Sequence, residues 1–205
     1  MVTVEPTSLI VCLHGLGANG GQFEPVRELL HAALPQAAVA TPNAPGAAEA
    51  GGGYQWFSLA GITDDNRAAR LAEARIALDG LLTREIALHG FGDRLDRVVL
   101  LGFSQGAVMA LDAVASGNWP VRAVVSFAGR LVTPDPLRPA PGLRALLVHG
   151  QADPVILPQC TDQACARLRV SGVAVERHIL PHVGHGMTPE GLELGLHFLA
   201  SVIGH

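Results

Sequence analysis

A mostly parallel β-sheet with helices on both faces is the architecture this sequence predicts, and three observations predict it. Short apolar runs alternate with longer stretches of helical spacing from one end of the chain to the other. Several of those runs are continuously apolar and rich in β-branched residues, as strands buried on both faces require. No Gly/Ser linker, internal repeat or low-complexity tail divides the 205 residues, so a single domain spanning 1–205 is expected.

Taken in order, strands are predicted at 9–13, 38–41, 98–103, 123–127, 145–149 and 175–180, and helices at 22–33, 66–89, 105–116, 158–171 and 189–203. The clearest unit is central. Arg97-Val98-Val99-Leu100-Leu101 reads as a buried strand, and Ala107, Ala110, Leu111 and Val114 then recur at helical spacing until Gly117 stops the run. The last helix is also well marked, with Thr188 placed to cap it and Pro189 at its first position. Two connections are long, 42–65 and the proline-rich 129–142. The first carries Gly51-Gly52-Gly53, then Tyr54, Trp56, Phe57 and Leu59, in a chain that is only 4% aromatic. It is expected to wall an apolar substrate pocket through Trp56, Phe57 and Leu59, the alternative being an aromatic plug beneath a surface loop.

Composition excludes several functions. A net charge of −4, with all 14 basic residues being scattered arginines, gives no field for a phosphate backbone, so nucleic acid is not an expected partner. Glycine, proline or charge interrupts every apolar run before it could span a bilayer. The N-terminal stretch has no basic region and no cleavage-like site, so no export signal is expected. Three cysteines without framework spacing fit a reducing cytoplasm, and Cys160 and Cys165, five apart, would face different sides of a helix. A metal or redox pair there is disfavoured.

Chemistry enters with Gly102-Phe103-Ser104-Gln105-Gly106, set between the central strand and its helix. This is the order of a nucleophile elbow, in which a serine sits on a strained turn above the sheet. Its hydroxyl needs a base, and the base needs an acceptor to hold its tautomer. Asp153 directly follows the strand at 145–149; Asp135 lies between two prolines, and Asp162 falls in a helix. His185 follows the last strand, is bracketed by Gly184 and Gly186, and precedes a capped helix, with His182 its rival in the same loop. A His182/His185 metal pair lacks a third ligand nearby in sequence, so no metal is expected. His31, His89, His178, His197 and His205 read as ordinary helix, strand or terminal residues. Two backbone donors for a developing oxyanion are expected from Gln105, at the helix N-terminus, and from Leu16 in His14-Gly15-Leu16-Gly17 after the first strand. His14 is expected to hold that glycine loop in place.

Leu13-His14-Gly15-Leu16-Gly17, Gly102-Phe103-Ser104-Gln105-Gly106, His149-Gly150-Gln151-Ala152-Asp153-Pro154 and Gly184-His185 together resemble the phospholipase/carboxylesterase branch of the α/β hydrolases, which includes bacterial carboxylesterases and acyl-protein thioesterases. The resemblance runs nearly the whole chain in the right order. It implies an α/β-hydrolase fold without a large cap domain, with Ser104, Asp153 and His185 as the catalytic triad, Leu16 and Gln105 as oxyanion donors, and no cofactor. Tyr54-Gln55-Trp56-Phe57 resembles the family's aromatic substrate-loop motif. Two departures bear on substrate preference: the chain continues Ala18-Asn19-Gly20-Gly21 where relatives often carry an acid, and the basic residue common near the aromatic segment is missing. The expected reaction is hydrolysis of carboxylic esters with short or medium acyl chains through an acyl-enzyme. Lysophospholipase or acyl-protein thioesterase activity uses the same triad, and a silent ligand-binding relative of the fold is the alternative from another class. The expected partner is a small ester or thioester; exposed apolar loop residues could face substrate or a second subunit, which leaves a homodimer open.

Overall fold

The structure, a computed structural model, describes residues 5–49 and 51–203; the N-terminal four residues and His205 lie outside the described part. Its strands are β1 (Ser8–Leu13), β2 (Ala37–Ala40), β3 (Gly46–Ala47), β4 (Tyr54–Gln55), β5 (Val98–Phe103), β6 (Ala123–Phe127), β7 (Arg144–Gly150) and β8 (Ala174–Leu180). The helices are α1 (Glu24–Ala33), α2 (Asp64–Leu88), α3 (Gln105–Ala115), α4 (Gln159–Val170) and α5 (Pro189–Ile203). Six strands form one parallel sheet in the order β2-β1-β5-β6-β7-β8, and β3 and β4 pair antiparallel as a separate ribbon.

The strands are apolar on both faces because both faces are covered. Leu9, Val11, Leu100, Val124 and Leu147 pack into one core with α2, α3 and α4, while Ile10, Val99, Leu101, Val125 and Leu146 pack into a second with α1 and α5. Residues alternate between the two cores along each strand, following the two-residue period of extended chain. Helix α3 is buried along its whole length, which its small residues permit. Its one acid, Asp112, is answered by a bidentate ion pair from Arg75 at 2.7 and 2.8 Å and by the Thr133 hydroxyl at 2.7 Å.

Element boundaries differ from expectation by a residue or two, except in two places. The helix expected from Gln22 starts with a 3₁₀ turn at Gly20–Phe23 before α1, because Pro25 suits the first turn of an α-helix and not its interior. The connection at 42–65 is not structureless: it contains the β3/β4 ribbon, and Tyr54 also bridges Ala18. Helix α2 starts two residues early, with a reciprocal cap between Thr63 and Asn66. Thr188 does cap α5, accepting from the Gly191 N–H at 3.2 Å.

Because every strand of the large sheet points the same way, the segments that follow β1, β5, β6, β7 and β8 all emerge at one edge. That edge holds the site.

Candidate active site

Ser104 lies between the end of β5 and the start of α3 with φ 53° and ψ −118°. A non-glycine residue in this region costs on the order of 1–3 kcal/mol and persists only where its surroundings over-determine it. They do so here. The Ser104 N–H donates to the Phe127 carbonyl at 2.9 Å, and the Ser104 carbonyl accepts from Val108 at 3.0 Å. Both flanking glycines are required by space. A Cβ on Gly102 would lie 2.5 Å from the Ala107 Cα, and one on Gly106 would lie 2.1 Å from the Leu13 carbonyl oxygen. The pattern Gly-x-Ser-x-Gly is thus the signature of a helix pressed against β5 and β1.

Three side chains from three loops stand in one hydrogen-bonded row. His185 Nε2 is 2.8 Å from Ser104 Oγ, and His185 Nδ1 is 2.7 Å from Asp153 Oδ2. An ionised carboxylate only accepts, so Nδ1 carries the proton and Nε2 offers its lone pair to the serine hydroxyl. Burial pushes the Asp153 carboxyl up, but hydrogen bonds from His185 and from the Val155 and Ile156 N–H groups outweigh it and leave the group below its ordinary value.

A fourth residue completes the support. His149, fully buried, places Nε2 at 2.7 Å from the Ile156 carbonyl and 3.1 Å from Asp153 Oδ2. Both neighbours accept, so Nε2 carries the proton and the Thr161 hydroxyl donates to Nδ1 at 2.7 Å. Asp153 therefore meets two imidazoles on one oxygen and two backbone amides on the other.

The row opens on a pocket of about 440 Å³ lined by Leu16, Phe57, Leu59, Gln105 and Val155 among others. Gln105 is the first residue of α3, and neither its amide nor that of Leu16 is engaged in the loop, turn or cap hydrogen bonds. The Gln105 side chain has a separate role: its Oε1 accepts from Trp56 N at 2.8 Å and its Nε2 donates to the Phe57 carbonyl at 2.7 Å. Residue 105 thus pins the aromatic loop to the elbow. His14 donates from Nδ1 to the Gly15 carbonyl at 2.7 Å and accepts at Nε2 from Ala44 N at 2.9 Å, while burial lowers its pKa.

Phe57 and Leu59 line the pocket, whereas Trp56 departs from the sequence reading. Its ring is only 4% exposed, does not line the pocket, and donates from Nε1 to the His14 carbonyl at 2.8 Å. The chain bends at these two residues just after β4, so Phe57 faces the pocket while Trp56 is held in the core by the His14 carbonyl. The rivals stand elsewhere. His182 is exposed, Asp135 pairs with Arg167 at 3.0 Å, and Asp162 pairs with Arg177. Sequence reasoning missed His149 as a partner of Asp153, the Gln105 side chain, and two pocket-lining arginines, Arg67 and Arg130. Position just past a strand could have flagged Arg130; nothing in the pattern singles out Arg67.

A parallel sheet with this elbow and this row at its C-terminal edge defines an α/β hydrolase. The sequence profile of the phospholipase/carboxylesterase family matches residues 3–203, and the chain belongs to that family. It is a hydrolase acting on ester bonds. The chain is 29% identical over 204 residues to the esterase YpfH of Escherichia coli K12, covering 95% of this chain and 83% of that one. It is 23% identical to an acyl-protein thioesterase 1 homologue of Dictyostelium discoideum, covering 96% of this chain and 91% of that one. The crystal structure of esterase PE8 superimposes with a TM-score of 0.87 at 30% identity, covering 98% of this chain and 95% of the other.

Proposed function

We propose that the protein is a serine esterase in which Ser104 is the nucleophile, His185 the general base and Asp153 the residue that orients and stabilises the imidazole. The observation that carries this is the unbroken row of hydrogen bonds from Ser104 Oγ through His185 to Asp153, at 2.8 and 2.7 Å. Ser104 Oγ attacks the ester carbonyl carbon while His185 Nε2 takes the hydroxyl proton. The tetrahedral intermediate places its negative oxygen towards the Leu16 and Gln105 amides. On collapse the alcohol leaves with the proton from His185, giving an acyl-enzyme. Water, deprotonated by His185, then attacks the acyl carbon, and collapse of the second tetrahedral intermediate releases the acid as His185 returns the proton to Ser104 Oγ.

A pocket of about 440 Å³ supports esters of short or medium acyl chains. The names of the relatives keep a thioester leaving group as the second reading, since the same residues would serve it. All three cysteines are free, which supports a reducing compartment, and no helix among the described residues is long and apolar enough to cross a membrane.

A fluorophosphonate probe and a series of p-nitrophenyl esters of rising chain length test the reading together. Covalent labelling of Ser104, lost in Ser104→Ala, with turnover peaking at short or medium chains, is the expected result. Ligand binding without labelling or turnover would make the protein a silent receptor on the same fold.

A further inference from the structure

Charge around the Ser104 hydroxyl is one-sided. Arg67, from the first turn of α2, and Arg130, just past β6, line the same pocket as Ser104, and among the described residues no Asp or Glu lines it. Asp153 stands behind His185 and is already engaged at both oxygens. It offers nothing to neutralise the two guanidinium groups.

Architectural arginines elsewhere in the chain are answered. Arg75 grips Asp112 with two hydrogen bonds, and Arg167 reaches the Leu131 and Thr133 carbonyls as well as Asp135. The pocket arginines are answered only in part or not at all. Arg67 touches Asp64 through one nitrogen at 3.0 Å, but that acid's side chain is 87% exposed, and Arg67 Nε is buried without an acceptor. Arg130 is half-buried and has no hydrogen-bond or ion-pair partner among the described residues. A guanidinium presents a rigid fork of donors that matches carboxylate and phosphate oxygens, and a cleft lined by one sign of charge concentrates the opposite sign. The rest of the lining is mainly apolar, including Phe57, Leu59, Val108 and Ile156.

We propose that the pocket selects esters carrying an oxyacid anion, a carboxylate or a phosphate, besides the bond that is cleaved, with Arg67 and Arg130 holding the anion across a short apolar spacer. This rests on the hydrolase reading above and adds the substrate class.

Two matched pairs test it on the intact protein. One compares mono-p-nitrophenyl glutarate with p-nitrophenyl valerate, which differ by a carboxylate on the acyl side. The other compares octanoyl lysophosphatidate with monooctanoylglycerol, which differ by a phosphate on the alcohol side. The anionic member of at least one pair should be preferred by about 10- to 100-fold in kcat/KM, the worth of one or two charge-assisted hydrogen bonds, and the pair that shows it identifies the side. In Arg67→Met and Arg130→Met that ratio should fall towards one, whatever either variant does to absolute rates. Should a variant fail to fold, the wild-type preference must still weaken between about 0.05 and about 0.5 M salt. Neutral esters cleaved as well as or better than their anionic partners in both pairs would overturn the selection and leave the hydrolase reading intact. Absence of turnover and of fluorophosphonate labelling alike would overturn both.

Discussion

Two sets of polar side chains surround one pocket, and the fold treats them in opposite ways. His14, Trp56 and Gln105 are buried, and each ring nitrogen and side-chain amide group among them has a partner within the chain. Arg67 and Arg130 are half-buried and keep donors to spare. A satisfied buried group fixes geometry, whereas an unsatisfied one at the wall of a cleft is available to something that arrives. Ser104 stands between these extremes: its backbone is strained and fully tied down, and its hydroxyl is bonded only to the imidazole.

The comparison breaks most visibly at Ser104. Ser104→Ala is expected to lose on the order of 10⁶ in kcat with the fold retained. Near-normal p-nitrophenyl ester turnover by that variant would remove the proposed nucleophile. Ser104→Gly should be equally inactive yet more stable by about 1 kcal/mol, since glycine relieves the positive φ; a lower Tm would show that the elbow is not strained.

Asp153→Asn is expected to cost roughly 10⁴ in kcat, because an amide cannot hold the imidazole in the same tautomer. It also carries a pH signature. The folded protein holds this carboxyl below its unfolded value of about 3.9, so the stabilisation is complete at neutral pH and is lost as pH falls through the folded value. The Tm gap between wild type and Asp153→Asn should therefore hold from about pH 7 to pH 5 and narrow below about pH 4. A gap that widens on acidification would contradict the direction of the shift.

Gln105→Leu tests the satisfied set, since it strands the Trp56 N–H and the Phe57 carbonyl at once. A loss of about 2–4 kcal/mol in denaturant unfolding, with a raised KM as the aromatic wall loosens, is expected. An unchanged KM would mean that the wall is held by packing alone. His149→Leu should be milder, at about 1–3 kcal/mol and about tenfold in kcat, since two backbone amides still hold Asp153. The smallest effect is at Cys12, whose thiol burial pushes up to about 12. Iodoacetamide should leave it untouched in the folded protein and modify it in urea, and ready modification without denaturant would show that the β1 core opens.

Much of this was readable from local pattern. The alternating strands and helices appear within a residue or two of expectation, because continuous apolar runs and caps such as Thr188 are local signals. Ser104, Asp153 and His185 could be picked out because each follows a strand of one parallel sheet, and topology then carries all three to the same edge. Reading the 42–65 connection was harder. Trp56 and Phe57 are neighbours of like chemistry, and only the partners on each side, the His14 carbonyl for one and the pocket for the other, separate plug from wall. The β3/β4 ribbon is too short to leave a periodic trace.

Order along the chain by itself determined the architecture, the elbow and the three residues of the row, since period, glycine placement and strand-end position are written in sequence. Only tertiary structure decided that Gln105 ties down the aromatic loop, that His149 backs Asp153, and that two arginines 63 positions apart share one pocket that no acid among the described residues lines. The physical reason is that hydrogen-bond satisfaction and charge balance are properties of neighbours in space, and a folded chain chooses those neighbours from anywhere along its length.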